Sequence, residues 1–476
     1  MNRRRIITTC YAVIVFLSLI TSCFSQSSPS AKRSRTNLAK KVGSIVEAGR
    51  RELGLPGVSL FIMRGNKIIL AKGYGLADRE KGIAPTEQTI YPIASLSKQF
   101  TAAAIMKLVE QGRVRLDEPV ATYLPEYRAH HTKVLRIRHL LSQTSGIPEM
   151  SDLPEMEGMD TGTGDPAKFT LARVVELLGP QPQLYPPGDW WSYSNSNYSL
   201  LAAVIERVSG KTYEQYLRET LFRPLGLRST GSCQPEQGLP LGSHAIGYLA
   251  TENAFELRPF TSNNARVFTG SGGLCSNTAD LASWMRALVD GRAVGAASFR
   301  QMTTTTPVGA GFTPPYGFGL SVVPLAGQPA VWHTGVIAGF TSVLVYFPKQ
   351  DLIIAALTNS RHALLQTVVK RVAQAVMGSK EPKLRDLPIS AEKLSRVVGD
   401  YDDNMFKFRI YAESGRLYIN VPELGPPQRL QYQGGEVFAT PEPGMVRRLW
   451  FEPATGSVQR VVWEWAELRA YGRRVR

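Results

Sequence analysis

Apolar residues recur with helical period in some stretches of the chain and alternate with period two in others. Residues 37–53 carry Leu38, Val42, Ile45 and Val46 on one stripe, which predicts an amphipathic helix. The run GVSLFIMRGNKIILAKGYG follows. Its two β-branched segments flank Arg64-Gly65-Asn66 and predict a hairpin. A long middle section has helical periodicity broken by turn signals. Near residue 329 strand patterns return as AVWHTG, TSVLVYF and DLIIAALTN, the last two separated by a turn at Pro348-Lys349-Gln350. A final helical stripe carries Leu365, Val368, Val369, Val372 and Val376. Strands at both ends of the segment 37–378, with helices between, predict one antiparallel sheet flanked by helices with a helical insert. The fold class is therefore α/β of the α+β type, and not a doubly wound sheet.

Beyond residue 378 the pattern changes. The stretch GSKEPKLRDLP is charged and proline-bearing, so 379–390 is assigned as a linker. From 391 to 476 short alternating runs predict a small all-β domain, a barrel or sandwich: Phe406, Phe408, Ile410; Leu417, Ile419, Val421; Trp463, Trp465. Turns are expected at Ser414-Gly415, Gly434-Gly435 and Thr455-Gly456.

Before residue 37 the chain reads as a targeting region. Arg3 to Arg5 precede an apolar run from Ile6 to Ile20, too short for a membrane span and suited to an export signal over 1–25. Ile20-Thr21-Ser22-Cys23 resembles a bacterial lipobox, which implies membrane attachment through lipid on Cys23. Simple secretion with cleavage near Ser25 is the other reading. Residues 26–36 are polar and expected to be a tether. The expected location is periplasmic or cell-envelope if anchored, and secreted otherwise.

Composition narrows the function classes. With 43% hydrophobic and 20% charged residues the chain is an ordinary globular protein. Its net charge of +16 invites a nucleic-acid reading. No zinc-finger spacing, RNA-binding aromatic signature or long basic block accompanies it, so no nucleic-acid partner is expected. The four cysteines include two in the folded part, Cys233 and Cys275, expected to be buried thiols rather than a disulfide pair. No CxxC or HExxH occurs, and the six histidines lack ligand spacing, so no metal is expected.

Three short motifs bear chemistry. Ser95-Leu96-Ser97-Lys98 stands at a helix start, where Lys98 falls one turn from Ser95. A buried lysine there can take a proton from the serine. The same spacing at Ser390 and Lys393 reads as a plain helix cap. Tyr193-Ser194-Asn195 follows Pro187-Gly188 and offers a proton-relaying hydroxyl and an amide. Tyr418-Ile419-Asn420 shows the same letters in a predicted strand. His333-Thr334-Gly335 lies on a late strand, where Gly335 permits close backbone approach and Val336 N–H can join Ser95 N–H in an oxyanion hole.

In this order the motifs resemble those of the serine β-lactamase and DD-peptidase superfamily, in its class C β-lactamase-like branch. The stretches IRHLLSQTSGIP and SGGLCSNTADLASWM add to the resemblance, which covers roughly 37–378. It implies Ser95 as acylated nucleophile, with Lys98 helping to deprotonate it. Tyr193 would pass the proton to the leaving group, Asn195 bind the substrate amide and Thr334 hold a substrate carboxylate. No cofactor is implied. The terminal β domain resembles the lipocalin-like appendage of some such hydrolases. The sequence departs from the branch at His333, where its β-lactamases usually carry lysine. Histidine there is similar to some DD-peptidases and other peptidases. No residue stands out as the separate glutamate base of class A enzymes.

The expected function is an exported serine hydrolase acting through an acyl-enzyme on an amide or ester, with D-amino-acid peptides among the candidate substrates. A true β-lactamase, or a cell-wall-fragment binder without turnover, is the alternative. No GxSxG elbow supports an α/β-hydrolase. A titrating His333 would produce a limb in kcat/KM near pH 6 to 7, roughly the ordinary histidine range.

Overall fold

A computed structural model describes residues 29–127, 133–156, 170–234, 242–250, 257–260, 267–361, 364–379, 384–402, 407–422, 426–442, 445–452, 456–465 and 468–475. The stretch expected to be an export signal, with Cys10 and Cys23, lies outside the described residues, as do Phe406 and Thr455. The first helix, α1, runs Pro29–Glu52. It thus begins within the stretch assigned to a tether, because nothing from Pro29 onward breaks a helix.

Strands β1 (Gly57–Arg64) and β2 (Lys67–Gly75) form the expected hairpin. The returning strands are β3 (Val331–Ile337), β4 (Phe340–Phe347) and β5 (Leu352–Thr358). All five join in one antiparallel sheet, ordered β2-β1-β5-β4-β3. The segment's two ends meet at its centre, where Leu60 pairs with Ala356. Alternation sorts the side chains. Leu60, Ile62, Val343, Val345, Ile354 and Ala356 face α1 and the helix α5 at Leu365–Met377. Phe61, Leu344, Ile353, Ala355 and Leu357 face the helical insert. Both faces are covered, so the strands read as nearly unbroken apolar runs.

Three insert helices position the site: α2 (Ser97–Glu110), α3 (Asn195–Ser209) and α4 (Thr278–Val289). Helix α2 is buried on nearly every side, its polar Ser97, Lys98, Gln99 and Thr101 included. Phe100 stacks on Trp284 of α4 at 4.1 Å between ring centroids. Around residue 275, short strands Gly231–Ser232 and Leu274–Ser276 pair antiparallel. That pairing brings Cys233 and Cys275 to 5.1 Å between Cα atoms, and they form a disulfide. The expectation of free thiols is corrected: the pairing that joins them spans a loop no local pattern announces.

After the linker, a short helix, α6, covers Ala391–Val397 and eight strands close into an antiparallel barrel. The first, Gly399–Asp402, pairs with the last, Leu468–Arg474. Phe408, Ile410, Leu417 and Ile419 fill its core as alternation predicts. The barrel touches the larger domain through two arginines. Arg460 donates to the carbonyls of Ala310 (2.7 Å) and Gly311 (3.3 Å). The Arg473 guanidinium lies 4.3 Å from the centre of the Trp190 ring, which itself packs on Phe312.

Candidate active site

Ser95 sits in a single 3-10 turn, Ala94–Leu96, immediately before α2. Ala94 adopts φ +46, a left-handed conformation unfavourable for a residue with a Cβ. The strained turn aims Ser95, half-exposed among buried neighbours, away from the helix instead of capping it. Ser390 is the contrast. Its hydroxyl accepts from Lys393 N–H at 3.2 Å and caps α6. Identical letters therefore do different work, and the backbone before the serine decides which.

Lys98 is fully buried. Its ammonium donates to Ser95 Oγ (3.1 Å), Asn195 Oδ1 (2.7 Å) and the Ser271 carbonyl (2.8 Å). It also lies 4.8 Å from the Tyr193 ring centre and 5.6 Å from that of Tyr198. Burial lowers its pKa to about 7, opposed by the nearby charge of Glu149. A lysine so placed is part neutral at neutral pH. The Tyr193 hydroxyl is hydrogen-bonded to Ser95, and burial raises its pKa above the ordinary tyrosine range. It is therefore protonated at rest.

The Tyr193–Asn195 loop is held by 143–149. Gln143 Oε1 accepts from Ser194 N–H (3.0 Å) and Asn197 Nδ2 (2.5 Å). Ser145 Oγ donates to Asn197 Oδ1 (2.6 Å), and Ser196 Oγ to the Pro148 carbonyl (2.7 Å). These bonds explain what the SQTSGIP stretch does. Glu149 ends it, accepting from the backbone N–H of Asn195 and from Asn195 Nδ2 at 3.2 Å.

His333 is buried, not solvent-facing. Its Nδ1 lies 2.5 Å from the Thr334 carbonyl and its Nε2 3.0 Å from Tyr316 Oη. A carbonyl only accepts, so Nδ1 carries the proton and Nε2 accepts from Tyr316. The ring is neutral. Burial, then the Lys98 charge, lower its pKa to about 3. The expectation of a histidine titrating near pH 6 to 7 is thereby corrected: the strand motif supplies a neutral ring.

Strand β3 is the sheet's edge, and it passes against the nucleophile turn. A Cβ on Gly335 would fall 2.3 Å from the Ile93 carbonyl and 3.0 Å from Ser95 N, so only glycine allows this approach. Ser342 Oγ ties the same place together by donating to Ile93 O at 2.7 Å. On either side of Gly335 in β3, Thr334 is half-buried and Val336 exposed. Ser95, Lys98, Tyr193, Asn195, His333 and Gly335 thus converge on one place, with Thr334 and Val336 flanking Gly335 on the same strand. Sequence reasoning missed Glu149, Tyr316, Ser271 and Gln143. Only the SQTSGIP and SGGLC stretches hinted at two of them, Gln143 and Ser271.

A serine on a strained turn, a buried lysine on its oxygen and a tyrosine beside it define the serine acyl-transfer hydrolases of the β-lactamase and transpeptidase type. The chain belongs to the beta-lactamase family, whose model matches residues 42–376. It is 31% identical over 326 residues to "Putative penicillin-binding protein PbpX" of Bacillus subtilis (strain 168), covering 68% of this chain and 76% of that protein. Among solved structures it is similar to the octameric penicillin-binding protein homologue from Pyrococcus abyssi. That match has TM-score 0.64 and 25% identity, over 91% of this chain and 99% of that one. The fold also matches the D-amino acid amidase from Ochrobactrum anthropi SV3 complexed with D-phenylalanine. There the TM-score is 0.62 and the identity 23%, over 72% and 100% of the two chains.

Proposed function

We propose that this protein is an exported serine hydrolase that cleaves amides or esters of D-amino acids through an acyl-enzyme on Ser95. The contact that carries the reading is the 3.1 Å hydrogen bond from buried Lys98 to Ser95 Oγ. In its neutral form Lys98 takes the Ser95 proton as Oγ bonds to the substrate carbonyl carbon. The tetrahedral oxyanion lies against Ser95 N–H and Val336 N–H. The proton then passes through Tyr193 to the leaving nitrogen or oxygen as that bond breaks, and water releases the acyl group. Lys98 is favoured over Tyr193 as base because burial keeps the phenol protonated while it frees the amine.

Neutral His333 supports a peptidase- or esterase-like substrate over a β-lactam, since no fixed charge at that position meets a carboxylate. The D-amino acid amidase whose fold this chain shares supports the D-configuration. Export is supported by the N-terminal pattern and by the disulfide, a bond of oxidising compartments. Assays with p-nitrophenyl esters, D-aminoacyl p-nitroanilides and a chromogenic cephalosporin test the reading. Turnover of the first two is expected, with the cephalosporin at least about tenfold lower in kcat/KM, the size of one lost charge contact. A cephalosporin as best substrate would overturn it.

The pH profile separates the two bases of the site. Activity needs neutral Lys98, so kcat/KM should rise with pH through about 7. Neutral His333 contributes no limb between pH 5 and 9. His333→Asn should therefore keep the limb while lowering the plateau. A limb that vanishes in His333→Asn would return the titration to the histidine.

A further inference from the structure

Glu149 is the half-buried charge that the reaction as drawn leaves unused. It caps a one-turn 3-10 helix, Met150–Asp152, and is held there by Ser151, whose N–H and Oγ approach Oε1 at 3.4 and 3.3 Å. Among the described residues its other hydrogen bonds go to Asn195: the backbone N–H on Oε2 and Nδ2 on Oε1. Asn195 in turn gives Oδ1 to Lys98. The amide is thus the only covalent spacer between a carboxylate and an ammonium in this chain of hydrogen bonds.

We infer that Glu149 is a positioning residue: by holding the Asn195 amide from behind, it keeps Oδ1 on Lys98 and so keeps the lysine on Ser95. This rests on the hydrolase reading of the site. The logic is donor and acceptor counting. Turned over, the amide would set its NH2 against the ammonium and its oxygen against the carboxylate, and both contacts would be repulsive. With Glu149 in place only one orientation is satisfied. One hydrogen of Nδ2 is used on Glu149, and the second remains to meet a substrate carbonyl. Burial raises the pKa of Glu149, but the two Asn195 donors and the Lys98 charge favour its carboxylate; that negative charge across the amide in turn favours the protonated lysine and works against burial.

The other groups facing Lys98 do not substitute for it. Ser95, the Ser271 carbonyl and the rings of Tyr193 and Tyr198 are uncharged, and His333 on β3 is neutral. Removing the charge of Glu149 should therefore leave Lys98 a weaker base. In Glu149→Gln the new NH2 must face one of the two Asn195 N–H donors, so one bond is lost as well.

The test is the rate of Ser95 phosphonylation by a fluorophosphonate, read by intact-protein mass spectrometry from pH 5 to 9, on the full chain. Glu149→Gln is expected to lower the plateau rate about tenfold, the scale of one hydrogen bond to a charged group. It is also expected to move the acid limb down by roughly half a pH unit or more. Glu149→Asp keeps the charge but withdraws it by one methylene, so its limb should move the same way and less. It answers the question if the glutamine variant does not fold. A loss of rate with the limb unmoved would assign Glu149 a merely structural role and overturn the inference, as would an unchanged rate. If the unaltered protein takes no label, the hydrolase reading itself fails, and this inference falls with it.

Discussion

Ser95→Ala should leave a folded protein that forms no adduct with a fluorophosphonate and loses at least about 10³-fold in kcat/KM, or about 4 kcal/mol of transition-state stabilisation. The size follows from removing the only atom that bonds to the carbonyl carbon. That folding survives follows from the surroundings. Ser95 is half-exposed and does not cap α2. Lys98 keeps Asn195 Oδ1 and the Ser271 carbonyl when Oγ is gone, so no buried ammonium is stranded. Alanine fits the 3-10 turn, and the strain at Ala94 belongs to its neighbour. Mass spectrometry reads the adduct, and thermal unfolding checks the fold. Labelling that persists in the variant would place the nucleophile elsewhere.

What the sequence makes legible is what local chemistry determines. Leu60 and Ile62 face one side of the sheet and Phe61 the other because strand side chains alternate. The same rule placed Phe408 and Ile410 inside the barrel. The eight candidate residues were found from three motifs in order, each weak alone. Ser390-x-x-Lys393 and Tyr418-Ile419-Asn420 show why order was needed: one is a helix cap, the other an ordinary strand. What was not legible is what the fold assembles at long range. Glu149 lies 46 residues from Asn195 and meets it only because two loops cross. Tyr316 sits in a proline-rich turn with no periodicity, yet it donates to Nε2 of His333. Cys233 and Cys275 are joined by a strand pairing 42 residues apart. The neutral state of His333 could not be read at all, since it depends on burial and on the Lys98 charge.

Lys98→Met should be nearly as damaging to catalysis as loss of the serine, by roughly 10² to 10³-fold in acylation rate. Methionine fills the same buried, unbranched channel but can neither take the Ser95 proton nor donate to Oγ. The stability effect is expected to change with pH, and its sign can be worked out. Lys98 has a folded pKa of about 7 against 10.5 for an ordinary lysine. Between these values the unfolded chain binds the proton and the folded one does not. Unfolding takes up a proton there, so this group makes the folded protein more stable as pH rises from about 7 toward 10.5. Lys98→Met lacks that gain. The variant should compare best with the unaltered protein near pH 7 and worse at pH 9, measured by denaturant unfolding at both. Below pH 7 the methionine also spares the fold a desolvated ammonium, but it leaves Asn195 Oδ1 and the Ser271 carbonyl without their donor. If the stability difference between the two proteins were the same at pH 7 and pH 9, Lys98 would not be the depressed amine, and a base other than Lys98 would have to activate Ser95.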